Sequence, residues 1–396
     1  MEASIAKADS KRNFSEDQIM FREAYRVFLA DEIVPHMDQW RKDGIVDRSA
    51  FKKAGDMGFL MIWPDEKYGG LGDRDFKYEQ IIIEETCRAG CLDWFNTLHS
   101  RLVGPYFDKL GTEAQKEKFL TGAASGDIIL AVAMSEPDAG SDLSGMRSTL
   151  ELKGDHYVLN GNKTYISNGI NGDAIVVAAK TVPSKSRHDM TLCVVEADME
   201  GFKRGANLAK MGLKGQDTAE LFFDNVIIPK ENILGEPGKG FSYLMAGLAE
   251  ERLILAVQSA VNARKAFNLT REFVMERKAF GKTISAMQNT QFTMAQMDAE
   301  LDMLEVYVDH CVELNNKNQL SVNVGAKVKL LATELEGRMT DLGVQLHGGA
   351  GYMSEYEISR MYTDARVSRI YGGASEIMKL IIGRDIFSEG YSSIID

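Results

Sequence analysis

The chain has 396 residues, 44% hydrophobic and 26% charged, enough apolar material for a large core spread over two or three domains. Lys and Arg total 46 against 58 Asp and Glu, and the net charge of −12 argues against a protein whose main work is gripping nucleic acid or an anionic membrane. No run reaches the roughly 18 apolar residues of a membrane span, and the polar, mixed-charge segment Met1 to Asn13 reads as neither a secretory signal nor a transit peptide.

Four cysteines, at 87, 91, 193 and 311, make no metal-binding pattern. Cys87 and Cys91 sit four apart on one expected helix face, and sparse cysteines of this kind read as buried apolar fillers in a reducing compartment.

In chain order, Ser15 and Gln18 form a capping box with Phe14 stapled onto Ile19, and a long helix is expected to about Trp40. Helical spacing recurs from Phe76 to Ala89 and from Trp94 to Leu110, and Thr112 caps another helix. Near Asp127 the texture changes. The apolar run 128–134, bounded by Gly126 and Pro137, suits a buried strand. Asn160-Gly161 reads as a hairpin turn between Tyr157-Val158-Leu159 and 163–167. Ala174 to Ala179, Thr191 to Glu196 and Ala219 to Val226 complete a β-domain. After Gly240 helical spacing returns through Phe241 to Lys278, Ala286 to Leu314 and Val322 to Leu346, with one more helix past Gly373. The expected organisation is an α+β multi-domain chain: an N-terminal helical domain at 1–125, a middle β-barrel or sandwich at 126–236, and a C-terminal helical bundle at 237–396.

Five features can carry chemistry. The loop 133–145 is dense in small polar residues and leaves a buried strand directly, so it can offer backbone N–H groups and hydroxyls to a ligand, or be a plain turn. Tyr165 and Ser167 share one strand face, where a ring and a hydroxyl can flank a flat heterocycle or simply belong to the barrel. Gln345-Leu346-His347-Gly348-Gly349-Ala350-Gly351 has three glycines that let backbone approach a phosphate, although helix C-termini also favour glycine. Leu244, Leu248, Glu251 and Leu255 follow the spacing of one helix face, so Glu251 falls on an apolar stripe. Burial raises a carboxylate's pKa toward a general base's range; the alternative is an ion pair with a nearby Arg or Lys. Glu250, one residue earlier, is expected to face solvent. Finally, the cations of 276–282 end a helix at its negative dipole end, which is reason enough for them.

Together these residues closely resemble the acyl-CoA dehydrogenase family, from about Ser15 to Phe387, with both family signatures complete at 133–145 and 345–364. The resemblance implies an N-terminal α-helical domain, a middle β-domain and a C-terminal four-helix bundle. It also implies an FAD flavoprotein of fatty acid β-oxidation, a homotetramer built as a dimer of dimers. Such an enzyme desaturates an acyl-CoA at its α and β carbons and passes electrons to electron-transfer flavoprotein.

Carried over by motif, Met134, Ser135 and Ser167 contact the isoalloxazine edge, and Tyr165 packs on the ring where the family commonly has Trp. Arg277, Phe280, Gln345, Gly348 and Gly349 reach the FAD of a neighbouring subunit. Ser141 is assigned to cofactor and CoA arm alike, Arg252 and Arg384 to the CoA arm, and Ala374 and Glu376 to cofactor-contacting positions. Many family members carry the catalytic Glu where this chain has Gly372; the long-chain and isovaleryl types place it on the long helix, just before an Arg. Here that residue is Glu251, with the Gly372 N–H as oxyanion donor.

The signature segments are most like the long-chain type, while Trp94 and Phe95 fall where that type has smaller residues near the acyl tail, and Arg101 lies nearby. The expected substrate is a medium-to-long or branched acyl-CoA, in bacterial cytoplasm or a mitochondrial matrix. The rival expectations are an acyl-CoA oxidase on the same fold and an inactive flavin- or acyl-CoA-binding paralogue, the latter motivated by Gly372.

Overall fold

The computed structural model describes residues 14–391, so the segment Met1 to Asn13 lies outside it. The N-terminal part is helical: α1 (Glu16–Phe28), α2 (Met37–Asp43), α3 (Arg48–Asp56), α4 (Phe76–Ala89) and α5 (Gly104–Leu110). The capping box forms, with Ser15 Oγ accepting from Gln18 N and Gln18 Oε1 from Ser15 N. The single helix to Trp40 does not. A π-turn at Leu29–Ile33 and a tight turn at Val34–His36 interrupt it, since Pro35 cannot donate to the ladder. The Arg22 guanidinium sits 4.4 Å above the Phe14 ring.

The chain then enters one sheet of eight strands: β1 (Leu130–Ala133), β2 (Thr149–Lys153), β3 (His156–Ser167), β4 (Ala174–Val182), β5 (Met190–Glu196), β6 (Phe202–Asn207), β7 (Thr218–Pro229) and β8 (Ile233–Leu234). β1 and β2 both run parallel to β4, at 174–177 and 180–182 respectively, so the loop between them leaves the sheet and returns to the same strand.

Asn160-Gly161 is not a turn. β3 runs through it as one strand with a bulge, and the hairpin is made by Gly154-Asp155. Gly161 has φ +139, and a Cβ there would sit 2.3 Å from Ser148 Oγ, so glycine serves a close strand approach.

The C-terminal part is a helix bundle. α6 (Gly240–Glu276) is buried almost all round from Arg252 to Ala263, as a helix packed on every side must be. The short strands β9 (Lys278–Ala279) and β10 (Lys282–Thr283) follow, then α7 (Gln288–Asn316), α8 (Val322–His347), α9 (Gly349–Tyr352), α10 (Glu357–Ala365) and α11 (Ser375–Ile386). The cations of 277–282 thus belong to a hairpin rather than a helical last turn, with Phe280 at its tip 96% exposed. All four cysteines are buried and free, Cys91 lying past the Gly90 cap of α4 rather than on its face.

Candidate active site

Glu251 lies on α6, where the stripe places Leu244 and Leu255 in the core. A cavity of about 270 Å³ opens against it between α5, the first turns of α6 and the α7–α8 connection, lined among others by Tyr106, Tyr243, Glu250, Glu251 and Asn315. Loss of hydration drives the Glu251 pKa upward, while the positive charges of Arg252 and Lys329 oppose that rise.

Facing Glu251 is the turn Tyr371-Gly372-Gly373. A Cβ on Gly372 would point into the same space, 3.5 Å from Glu251 Oε1 and 2.3 Å from Leu255 Cδ1. Both glycines are left-handed, with φ +61 and +93. The turn is held by Gln258 Nε2 donating to Tyr371 Oη at 3.1 Å and by Lys329 Nζ donating to the Gly373 carbonyl at 2.7 Å.

The flavin-loop candidates gather at the sheet. Thr164 N donates to Ser135 O, and Lys163 Nζ donates to Met134 O while pairing with the buried Glu136 carboxylate at 2.8 Å. Glu136 in turn accepts from the Arg147 and Ser148 amides, closing the loop on itself. These bonds present Met134 and Ser135 beside Tyr165, which is 73% exposed at φ +59, and near Ser167 on the same strand.

A separate group collects at the far end of α6. Phe273 stacks on His347 with centroids 4.2 Å apart, bringing Arg277 and Phe280 to the end of α8 that carries Gln345, Gly348 and Gly349. From Glu251 to Arg277 is 26 residues of one continuous helix and its cap, about 39 Å at 1.5 Å per residue.

Family models for the acyl-CoA dehydrogenase N-terminal, middle and C-terminal domains match residues 15–127, 131–226 and 238–387. The chain belongs to the acyl-CoA dehydrogenase family. It is 42% identical over 381 residues to the mouse mitochondrial long-chain specific acyl-CoA dehydrogenase, covering 96% of this chain and 88% of that protein. To the Arabidopsis thaliana mitochondrial isovaleryl-CoA dehydrogenase it is 34% identical over 389 residues, covering 98% and 95%. An acyl-CoA dehydrogenase structure from Geobacillus kaustophilus superposes with a TM-score of 0.92 at 45% identity, covering 95% of this chain and all of that one. This acyl-CoA dehydrogenase is therefore a flavin-dependent oxidoreductase with FAD as its cofactor.

The residues present fit that cofactor. The side chains of Ser135, Ser167, Arg277, Gln345 and Glu376 have no hydrogen-bond or ion-pair partner among the described residues, which leaves donors and an acceptor free for a bound dinucleotide. Ala374 occupies the N-cap of α11 and has no capping side chain.

Other candidate residues lie outside the cavity lining. Trp94 does not line the cavity: it is fully buried in the N-terminal helical core, edge-on to Phe51 at 4.8 Å, with its indole N–H toward Tyr25 Oη. Phe95 packs against the cluster joining the helices to the sheet and is not part of the cavity lining. Arg252 is 2% exposed and turned toward the Val322 carbonyl at 3.5 Å, away from the cavity lining. Arg384 and Glu376 are exposed on α11, and Ser141 is exposed in the loop after β1.

Glu250 is half-buried and paired rather than free in solvent. Arg101 holds it at 2.8 and 3.3 Å, Asn315 adds a third bond, and Arg101 itself packs between the Trp63 and Phe76 rings. Lys329 went unnoticed in the sequence, although Lys329 and Glu336 fall on an otherwise apolar face of α8 by the same spacing that singles out Glu251.

Proposed function

We propose that this acyl-CoA dehydrogenase converts a medium-to-long or branched acyl-CoA to the trans-2-enoyl-CoA, with Glu251 as the base and electron-transfer flavoprotein as electron acceptor. The observation that carries the reading is the Glu251 carboxylate on the cavity wall, in the space a side chain at Gly372 would otherwise fill. Bound FAD supplies the hydride acceptor for the β carbon. Glu251 takes the α-proton at a carboxylate oxygen whose affinity for protons burial has raised. The Gly372 N–H, freed by its left-handed turn, donates to the thioester oxygen as negative charge develops there. Tyr106, Tyr243 and the Arg101–Glu250 pair shape the cavity for the acyl-CoA.

The Arg277–Phe280 hairpin and the Gln345–Gly349 turn, far along α6 from Glu251, serve the FAD of a second copy of the chain in a homotetramer. No helix among the described residues is long and apolar enough to cross a membrane; the enzyme works in bacterial cytoplasm or a mitochondrial matrix.

The test is anaerobic titration of the purified protein with acyl-CoAs from butyryl to stearoyl, methyl-branched ones included, following flavin absorbance. Bleaching ranks the substrates. A flavin that no acyl-CoA bleaches would identify the inactive paralogue, and oxygen uptake without an added acceptor would identify the oxidase. Glu251→Gln should keep FAD and lose turnover by about 10² to 10⁴-fold; wild-type turnover would refute Glu251 as base.

A further inference from the structure

α8 runs close against the helix that carries Glu251. Gly325 permits this, since a Cβ there would already stand 3.1 Å from the Ala249 carbonyl oxygen. One turn on, Lys329 is fully buried. An ammonium taken out of water is costly unless opposite charge and hydrogen bonds replace its hydration. Yet among the described residues no carboxylate lies within ion-pair distance of it, and its protein hydrogen bond goes to the Gly373 carbonyl at 2.7 Å.

The carboxylates nearest on its own helix are engaged elsewhere. Glu334 accepts from Ser375 Oγ at 2.6 Å and pairs with Arg369, and Glu336 accepts from Ser259 and Asn262. The remaining negative group that Lys329 senses is Glu251.

We infer that Lys329 is a positioning residue for the dehydrogenation: its ammonium ties the Gly372–Gly373 turn to α8 and adds to the positive field of Arg252 that keeps Glu251 ionised beside that turn. The inference rests on Glu251 being the base. Two consecutive glycines in left-handed conformation have no side chains to hold their own geometry, so the turn that carries the oxyanion N–H needs outside restraints. Gln258 on Tyr371 and Glu334 on Ser375 pin its flanks, and Lys329 alone of the three reaches the glycines.

The groups acting on Glu251 come from three helices: Arg252 on α6, Lys329 on α8 and Tyr106 on α5, while the neighbouring Glu250 is neutralised by Arg101. Burial pulls the Lys329 pKa down to about 8 and pushes that of Glu251 up. The charged pair therefore exists between the raised Glu251 value and about pH 8.

The test compares FAD-loaded wild type with Lys329→Gln and Lys329→Met. Turnover is measured from pH 5 to 10, melting temperature is recorded, and the Glu251 carboxyl band is isolated as the infrared difference between each protein and its Glu251→Gln derivative. Both variants should move the acidic limb and the Glu251 band midpoint upward by about one pH unit and remove the alkaline limb near pH 8. Above the acidic limb, Gln, still able to donate to Gly373, should keep most of kcat, and Met should lose about tenfold or more. An unmoved limb and band in Lys329→Gln, whatever its melting temperature, would reduce Lys329 to a structural role; if Met does not fold, Gln alone decides. Wild-type turnover in Glu251→Gln would instead remove the base assignment and leave the Gly373 tether standing.

Discussion

Acid should unlatch the strand that feeds the 133–145 loop, and His99 is the reason. The ring is fully buried, with Nε2 facing the Ala123 carbonyl at 3.0 Å and Nδ1 receiving the Leu130 N–H at 3.0 Å. Since Nδ1 accepts, the proton sits on Nε2 and the ring is neutral. A second proton would confront the Leu130 amide, the first of β1, five residues before Ser135. Burial lowers the His99 pKa from 6.5 to about 4.

A folded-state pKa below the unfolded one means that the His99 contribution to stability is whole above about pH 6.5 and disappears as pH falls through about 4. The gap of about 2.5 pH units, at 1.36 kcal/mol each, is about 3 kcal/mol. Urea unfolding of the FAD-loaded protein between pH 7 and pH 4 should show wild type losing about 3 kcal/mol more than His99→Gln, which keeps a donor and an acceptor but cannot titrate. His347, also shifted down by burial, is common to both proteins and cancels. Parallel stability curves would refute the reasoning.

Glu251→Gln should raise the melting temperature at pH 8 but not at pH 4.5, because a carboxyl with a raised folded pKa gives its full stability below its unfolded value and loses it as pH rises. Thermal melts at the two pH values check this; equal shifts would contradict it. Gly372→Ala should destabilise by about 1–2 kcal/mol for its left-handed backbone, plus about 1–3 kcal/mol for the contact with Leu255; Leu255→Ala in the same chain should recover part of the second amount in denaturant melts. Lys163→Met strands the buried Glu136 charge and should cost about 3–5 kcal/mol together with flavin retention, which Lys163→Met/Glu136→Gln should partly restore. Flavin-to-protein absorbance ratios after gel filtration would show whether it does.

The sequence by itself determined most of the elements and the family, because those are written in local order. The capping box at Ser15, the α4 span from Phe76 to Ala89 and the apolar stripe through Glu251 follow from spacing of a few residues, and the two signature segments are contiguous. Tertiary structure decided whatever depends on partners distant in the chain. Asn160-Gly161 suits a turn or a bulge equally, and Ser148, just ahead of β2, with the pairing of β7 selected the bulge. Glu250 looked solvated because its partners, Arg101 and Asn315, stand 149 and 65 residues away. Trp94 resembled a pocket residue until α1 and α3 closed over it, and Lys329 gained meaning only where α8 met the turn after Arg369. Spacing along a chain tells which face of an element is buried; only packing tells what that face is buried against.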